Sequence, residues 1–147
     1  MTIRIAGPPP DRSIPGFDRT LLEAQAQTLL RELGHGESEL SISLVDDEEM
    51  TALNRHFRSE AGPTDVLSFS LLEGDHTEFR GQLLGEVVID VEVAARQAAR
   101  QGPGLGDEMT RLLIHGTLHL LGYDHQREEE ARVMQAAEDR LRAVVPS

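Results

Sequence analysis

The sequence predicts a small single-domain α+β fold, one four-stranded sheet packed by about five helices. Two observations carry this. Hydrophobic spacing switches repeatedly between a period of two and a helical period, and the segments run strand, helix, strand, helix, two strands, three helices. That order lacks the regular alternation of a doubly wound sheet and suits one sheet covered by helices. At 147 residues, the span 1–147 is one domain with room for a sizeable core.

Residues 2–6, Thr-Ile-Arg-Ile-Ala, alternate as a short strand, and three prolines and Gly16 turn the chain. Leu22, Ala26, Leu29, Leu30 and Leu33 then recur at helical spacing, with Asp18 as N-cap and Gly34 as stop. Leu40, Ile42 and Leu44 alternate with serines in a half-buried strand ending near Val45. Asp46, Asp47, Glu48 and Glu49 bring acids to the first turn of a second helix, whose apolar face is Met50, Leu53 and Phe57. A loop through Pro63 leads into a strand at 66–69, and 71–81 reads as an exposed charged loop. The strand at 83–89 runs into Asp90, which caps a helix from Val91 to about Gln101. Gly102 to Gly106 breaks the chain, Asp107 starts the next helix, and a last amphipathic helix covers about Arg127 to Val144.

Composition narrows the chemistry. With no cysteine, disulfides and thiolate metal sites are excluded, and a transition metal must be held by His and carboxylate. All 14 basic residues are arginine, which excludes Schiff-base chemistry and a lysine base. A formal charge of −12 argues against a broad basic nucleic-acid surface while leaving room for a local one. The N-terminal stretch has neither a long apolar run nor a basic flank, so a cytoplasmic protein is expected. No apolar run approaches the roughly 20 residues that span a bilayer, so no membrane is expected as a partner.

The chemistry concentrates in Ile-His-Gly-Thr-Leu-His-Leu-Leu-Gly-Tyr-Asp-His, residues 114–125. At about 100° per residue, His115 and His119 share one helical face, one turn apart. A continuing helix would aim His125 away from them, so the helix must end first, and Gly122 supplies the left-handed residue that ends it. Two histidines on an apolar face are often ordinary core residues. A third placed just after a helix-ending glycine makes a three-imidazole metal site with an open position, the pattern of catalytic zinc. The string matches His-Glu-x-x-His-x-x-Gly-x-x-His of one metalloprotease group except at residue 116, where glycine replaces the general base. Phosphodiester hydrolysis tolerates that loss better, because a metal can polarise a phosphoryl oxygen while arginine holds the non-bridging oxygens. His35, His56 and His76 read as surface residues.

Together with Leu53-Asn54-x-x-Phe57-Arg58 and Pro63-Thr64-Asp65-Val66-Leu67-Ser68-Phe69, this string resembles the YbeY family of bacterial metal-dependent endoribonucleases, from about Leu40 to Asp139. The resemblance implies a mostly parallel central sheet and one zinc ion held by His115, His119 and His125, with nickel or another divalent transition metal as alternatives. It also implies single-strand-specific RNA cleavage, maturation of the 3′ end of small-subunit ribosomal RNA and ribosome quality control. Arg58 matches the family's functional arginine. Of the other arginines weighed as a basic lining, Arg55, Arg96, Arg100 and Arg111, none has a motif behind it. Many members carry a lysine shortly after that arginine; here Ser59-Glu60-Ala61 follows, which points to the ribosome or a ribosome-associated protein as a source of RNA affinity. Asp124 orients a ligating imidazole, acts as a base, or caps the turn, and these stay open. Asp65 and Ser68 have strand polarity as their simplest explanation. A metal-dependent hydrolase of another substrate, such as a peptidase, and a non-enzymatic ribosome-assembly factor are the competing readings.

Overall fold

A computed structural model describes residues 2–8, 16–58, 62, 64–70, 83–102 and 104–147. Its elements are β1 (Thr2–Ala6), α1 (Arg19–Glu32), β2 (Glu39–Val45), α2 (Asp47–Arg58), β3 (Val66–Ser70), β4 (Leu83–Asp90), α3 (Val91–Gln101), α4 (Leu105–Leu120) and α5 (Glu128–Val144). The order is the one expected. The expected loop at 71–81, Ser59-Glu60-Ala61 and His76 lie outside the described residues. No described helix is long and apolar enough to cross a membrane.

The strands line up as β1-β2-β4-β3. β1 pairs with β2 and β2 with β4 in parallel, while β3 runs antiparallel to β4 on the edge. The main core gathers Leu40, Ile42, Leu44, Val87 and Ile89 from the sheet with Leu29 and Leu30 of α1, Leu113 and Leu118 of α4, and Met134 and Leu141 of α5. A smaller core of Val45, Met50, Leu67 and Val88 forms a separate cluster with α2.

Local chemistry explains most boundaries. The Asp18 side chain accepts from the Leu21 N–H at 3.0 Å, and Asp90 accepts from both Glu92 and Val93, as N-caps do. After α1, His35 N–H bonds back to Leu30 O and Gly34 N–H to Arg31 O, with Gly34 at φ +81°, so the glycine closes the helix as expected. Two expectations need correction. The fourth helix starts at Leu105, not Asp107, because Gly104 at φ 92° provides the entry without a side-chain cap. Phe57 is 57 % exposed and is not part of α2's inward face, which carries Met50, Leu53 and Asn54. There the helix has reached the edge strand, and the Phe57 ring meets those of His56 and Phe69 edge-on, with centroids 4.5 and 5.2 Å away.

Two glycines set how closely the layers approach. The register between β2 and β4 slips, Glu39 facing Leu83 but Ser41 facing Glu86, so β4 carries one extra residue. This bulge puts Leu84 on the same face as Val87 and Ile89. A Cβ on Gly85 within it would lie 2.3 Å from Phe69 O and 2.9 Å from Leu120 Cδ2. In the middle of α4, a Cβ on Gly116 would stand 2.7 Å from Val87 Cγ1 and 3.1 Å from Val66 Cγ2. The helix therefore rests on the sheet at its own backbone. Ser68 and Ser70 of β3 lace the two together by donating to Gly116 O at 2.8 Å and Leu120 O at 3.0 Å.

Replacing Gly116 by alanine should cost about 1–3 kcal/mol through overpacking, read as a lower denaturant midpoint at unchanged slope.

Candidate metal centre

The helix α4 brings His115 and His119 to one face, one turn apart, as their spacing requires. Gly122, at φ 97°, ends it: Tyr123 N–H bonds to Leu118 O and Gly122 N–H to His119 O, both at 3.1 Å, the paired bonds of a Schellman turn. The chain folds back, and the His125 ring comes within 5.3 Å of the His119 centroid and 5.8 Å of the His115 centroid. One ring nitrogen from each of the three lies within 4.8 Å of the others.

Glu138 of α5, absent from the sequence reading, selects the ligand atom of His115. Its Oε1 lies 3.0 Å from His115 Nδ1. A carboxylate there accepts the Nδ1 proton, so Nε2 keeps its lone pair and faces His119 Nε2 at 3.1 Å. Ligand nitrogens around one tetrahedral zinc at about 2.0–2.1 Å stand roughly 3.3 Å apart, so the donor set fits such an ion. Burial pushes the His119 imidazole below its ordinary pKa, and the neighbouring His115 and His125 push it further, so the neutral, ligating form is favoured. One signal pointed to Glu138. It sits one turn from Met134 and from Leu141, both buried, and so puts an acid beside an otherwise apolar stripe.

The histidines line a cavity of about 370 Å³ whose other wall is Thr64, Asp65, Val66, Ser68 and Ser70, at the start of β3 and along it. Asp65 and Ser68 thus face the imidazoles, and Asp65 is the acid among the lining residues. Its Oδ2 lies 3.4 Å from Gln97 Nε2 and 3.8 Å from the Arg111 guanidinium. Asp124 lines a separate pocket with Leu121, Tyr123 and Val133, and its Oδ1 accepts from the His125 N–H at 2.7 Å.

The arginines weighed as a lining divide. Arg111 forks onto the buried Glu108, whose carboxyl that bond holds below its usual range, and Arg96 forks onto both oxygens of Asp47. Arg55 and Arg100 are exposed. Arg58 is the last residue of α2, and its side chain lies outside the described residues. His56 is exposed against Phe57, and His35 is half-buried behind α1.

Comparison with known proteins places this geometry in a family. The family model described as endoribonuclease YbeY matches residues 14–145. An endoribonuclease YbeY of Pelotomaculum thermopropionicum is 44% identical over 124 residues, covering 82% of each chain. One from Anaeromyxobacter dehalogenans is 47% identical over 120 residues, 82% of this chain and 61% of the relative. Among solved structures, the solution structure of TM1509 from Thermotoga maritima superimposes with a TM-score of 0.66 at 29% identity, over 97% of this chain and 88% of that one.

Glu138→Gln should weaken metal affinity by roughly 10- to 100-fold with the fold intact, measured by competition with a chromophoric chelator. The lowered pKa of His119 sets a second expectation. Between its folded value and the unfolded value of about 6.5, the unfolded chain binds the extra proton, so metal-free protein should lose stability as pH falls through that window. Thermal melts of wild type and His119→Gln across about pH 5–8 should show a shallower slope in the variant.

Proposed function

This chain belongs to the endoribonuclease YbeY family, and from that premise we propose that it cleaves single-stranded RNA in the cleft between α4 and β3, with one zinc ion held by His115, His119 and His125. The observation that carries the reading is the convergence of three imidazole nitrogens on an open, hydroxyl-lined cleft. The all-imidazole donor set also accepts nickel and other divalent transition metals, and cellular availability decides among them. Bound there, the ion would supply Lewis acidity toward a phosphodiester oxygen.

The chain's own residues supply the rest. Glu138 holds His115 in one tautomer, and Asp124, bonded to the His125 main chain, fixes the turn that presents the third imidazole. We assign proton transfer to Asp65, the carboxylate on the opposite wall. Arg58 serves to hold the non-bridging phosphate oxygens, for which a guanidinium fork is suited. Peptide hydrolysis is disfavoured by packing as well as by sequence, since a glutamate at 116 would have to enter the space of Val87 and Val66.

The substrate on this reading is a ribosomal RNA precursor, cut to form the 3′ end of small-subunit RNA, and the same cleavage serves ribosome quality control in the cytoplasm. The ribosome or its associated proteins present the RNA. A chain of net charge −12 whose Arg96 and Arg111 are already paired with acids supports that dependence.

Metal-loaded protein should cut single-stranded RNA and spare duplex, and chelation should stop it. His115→Ala should lose both metal and cleavage, whereas Asp65→Asn should keep the metal and lose roughly 10²- to 10⁴-fold in turnover. Single-stranded RNA left as intact by the wild type as by His115→Ala would sink the nuclease reading.

A further inference from the structure

The functional face of α4 begins before its histidines. Glu108, Arg111, His115 and His119 follow one another at helical spacings of three, four and four, so they share one side of the helix. Glu108 is only 1 % exposed and does not line the cleft. Burying a carboxylate is costly unless it is paired and hydrogen-bonded, and an apolar side chain of similar volume commonly packs as well or better. The pairing here is complete: Arg111 Nε donates to Oε1 at 3.0 Å and Arg111 Nη2 to Oε2 at 2.6 Å, while Gln97 Nε2, from α3, also donates to Oε2.

The same two donors meet a second carboxylate, and that one faces the imidazoles. Gln97 Nε2 lies 3.4 Å from Asp65 Oδ2, a hydrogen bond at the long end of the range, and Arg111 Nη2 lies 3.8 Å from the same oxygen. An amide nitrogen carries two hydrogens, so Gln97 has one for each acid. Turned the other way, the amide would set its own oxygen against two carboxylates, so the chemistry fixes its orientation. Both donors approach Oδ2, and among the described residues no hydrogen bond reaches Asp65 Oδ1. A buried acid outside the cleft thus arranges two donors on the acid inside it.

We propose that Glu108 and Gln97 are positioning residues for the cleavage reaction. Glu108 anchors the Gln97 amide and the Arg111 guanidinium, and these hold Asp65 by Oδ2, so that Oδ1 is the oxygen that handles the proton. This rests on the assignment of proton transfer to Asp65. Its consequence is a working part of the site on α3, a helix that carries none of the imidazoles.

The test is a double-mutant cycle on the metal-loaded full chain, with single-stranded RNA as substrate. Gln97→Ala should lower kcat by roughly tenfold, with KM, metal content and melting temperature close to wild type. Glu108→Gln, which keeps the side-chain volume and loses the charge, should lower kcat by at least as much. In an Asp65→Asn background Gln97→Ala should have no further effect, because it acts only through that carboxylate. An equal fall in both backgrounds would mark a merely structural role and overturn the proposal. So would Gln97→Ala with full turnover where Asp65→Asn has lost it. Undiminished cleavage by Asp65→Asn, or none by the wild type, would instead strike the assignment of Asp65 itself, and this inference with it. A readout free of activity is the Gln97 side-chain amide resonance in 15N-labelled, metal-free protein, assigned by its loss in Gln97→Ala. It should move in Asp65→Asn and in Glu108→Gln, and a resonance unmoved by both would overturn the proposal whatever the kinetics. If Glu108→Gln does not fold, the Gln97 cycle and the Asp65→Asn spectrum decide.

Discussion

The backbone of α4 touches the sheet at Gly116, and the geometry of the cleft follows from that contact. Any side chain there would meet Val87 and Val66 before the helix could settle, so the helix sits one Cβ closer than an ordinary residue allows. At that distance the hydroxyls of Ser68 and Ser70 reach the carbonyls of Gly116 and Leu120. His115 precedes the contact and His119 lies one turn beyond it. Both are thereby held opposite β3 with a gap of small-ligand size between them and Asp65. The missing protease base and the shape of the site have one cause: the position that a peptidase gives to glutamate is here spent on packing.

Electrostatics around the cleft are set by what is paired elsewhere. Two imidazole nitrogens face each other at 3.1 Å, and the carboxylate behind His115 directs its proton away from that gap, so the site favours a cation between the rings. Burial keeps His119 neutral and adds to the same preference. Meanwhile Arg111 is committed to Glu108 and reaches Asp65 only at 3.8 Å, which steadies that carboxylate without covering it. An acidic chain thus gathers its positive potential into a few places, and recognition of a polyanion must come through those few or through a partner.

Local signals were legible in the sequence because the forces behind them are local. Asp18, Asp90, Gly34 and Gly122 act within a few residues of themselves, and each ends or starts a helix where expected. The histidine string was readable for the same reason, since one helical turn and one Schellman turn place all three rings. Features that depend on distant partners were not. Residue 85 must be glycine because Phe69 O and Leu120 leave no room for a Cβ, Phe57 is exposed beside Phe69 of the edge strand, and Glu138 matters only because α5 returns to α4. Asp65 and Ser68 looked like simple strand polarity until β3 was seen to face the imidazoles.

That last placement bears on the chemistry. A base next to the first ligand on α4 would share the helix with the imidazoles. Asp65 instead stands on a separate element, held to α4 by the serine bonds along β3, and Asp90 N–H binds its main-chain oxygen at 2.9 Å. The carboxylate and the imidazoles are therefore positioned by different helices and strands, coupled through the glycine contact. A change in how α4 sits on the sheet would alter the distance between acid and imidazoles without touching either. The cleft depends on packing at Gly116 as much as on the residues that line it.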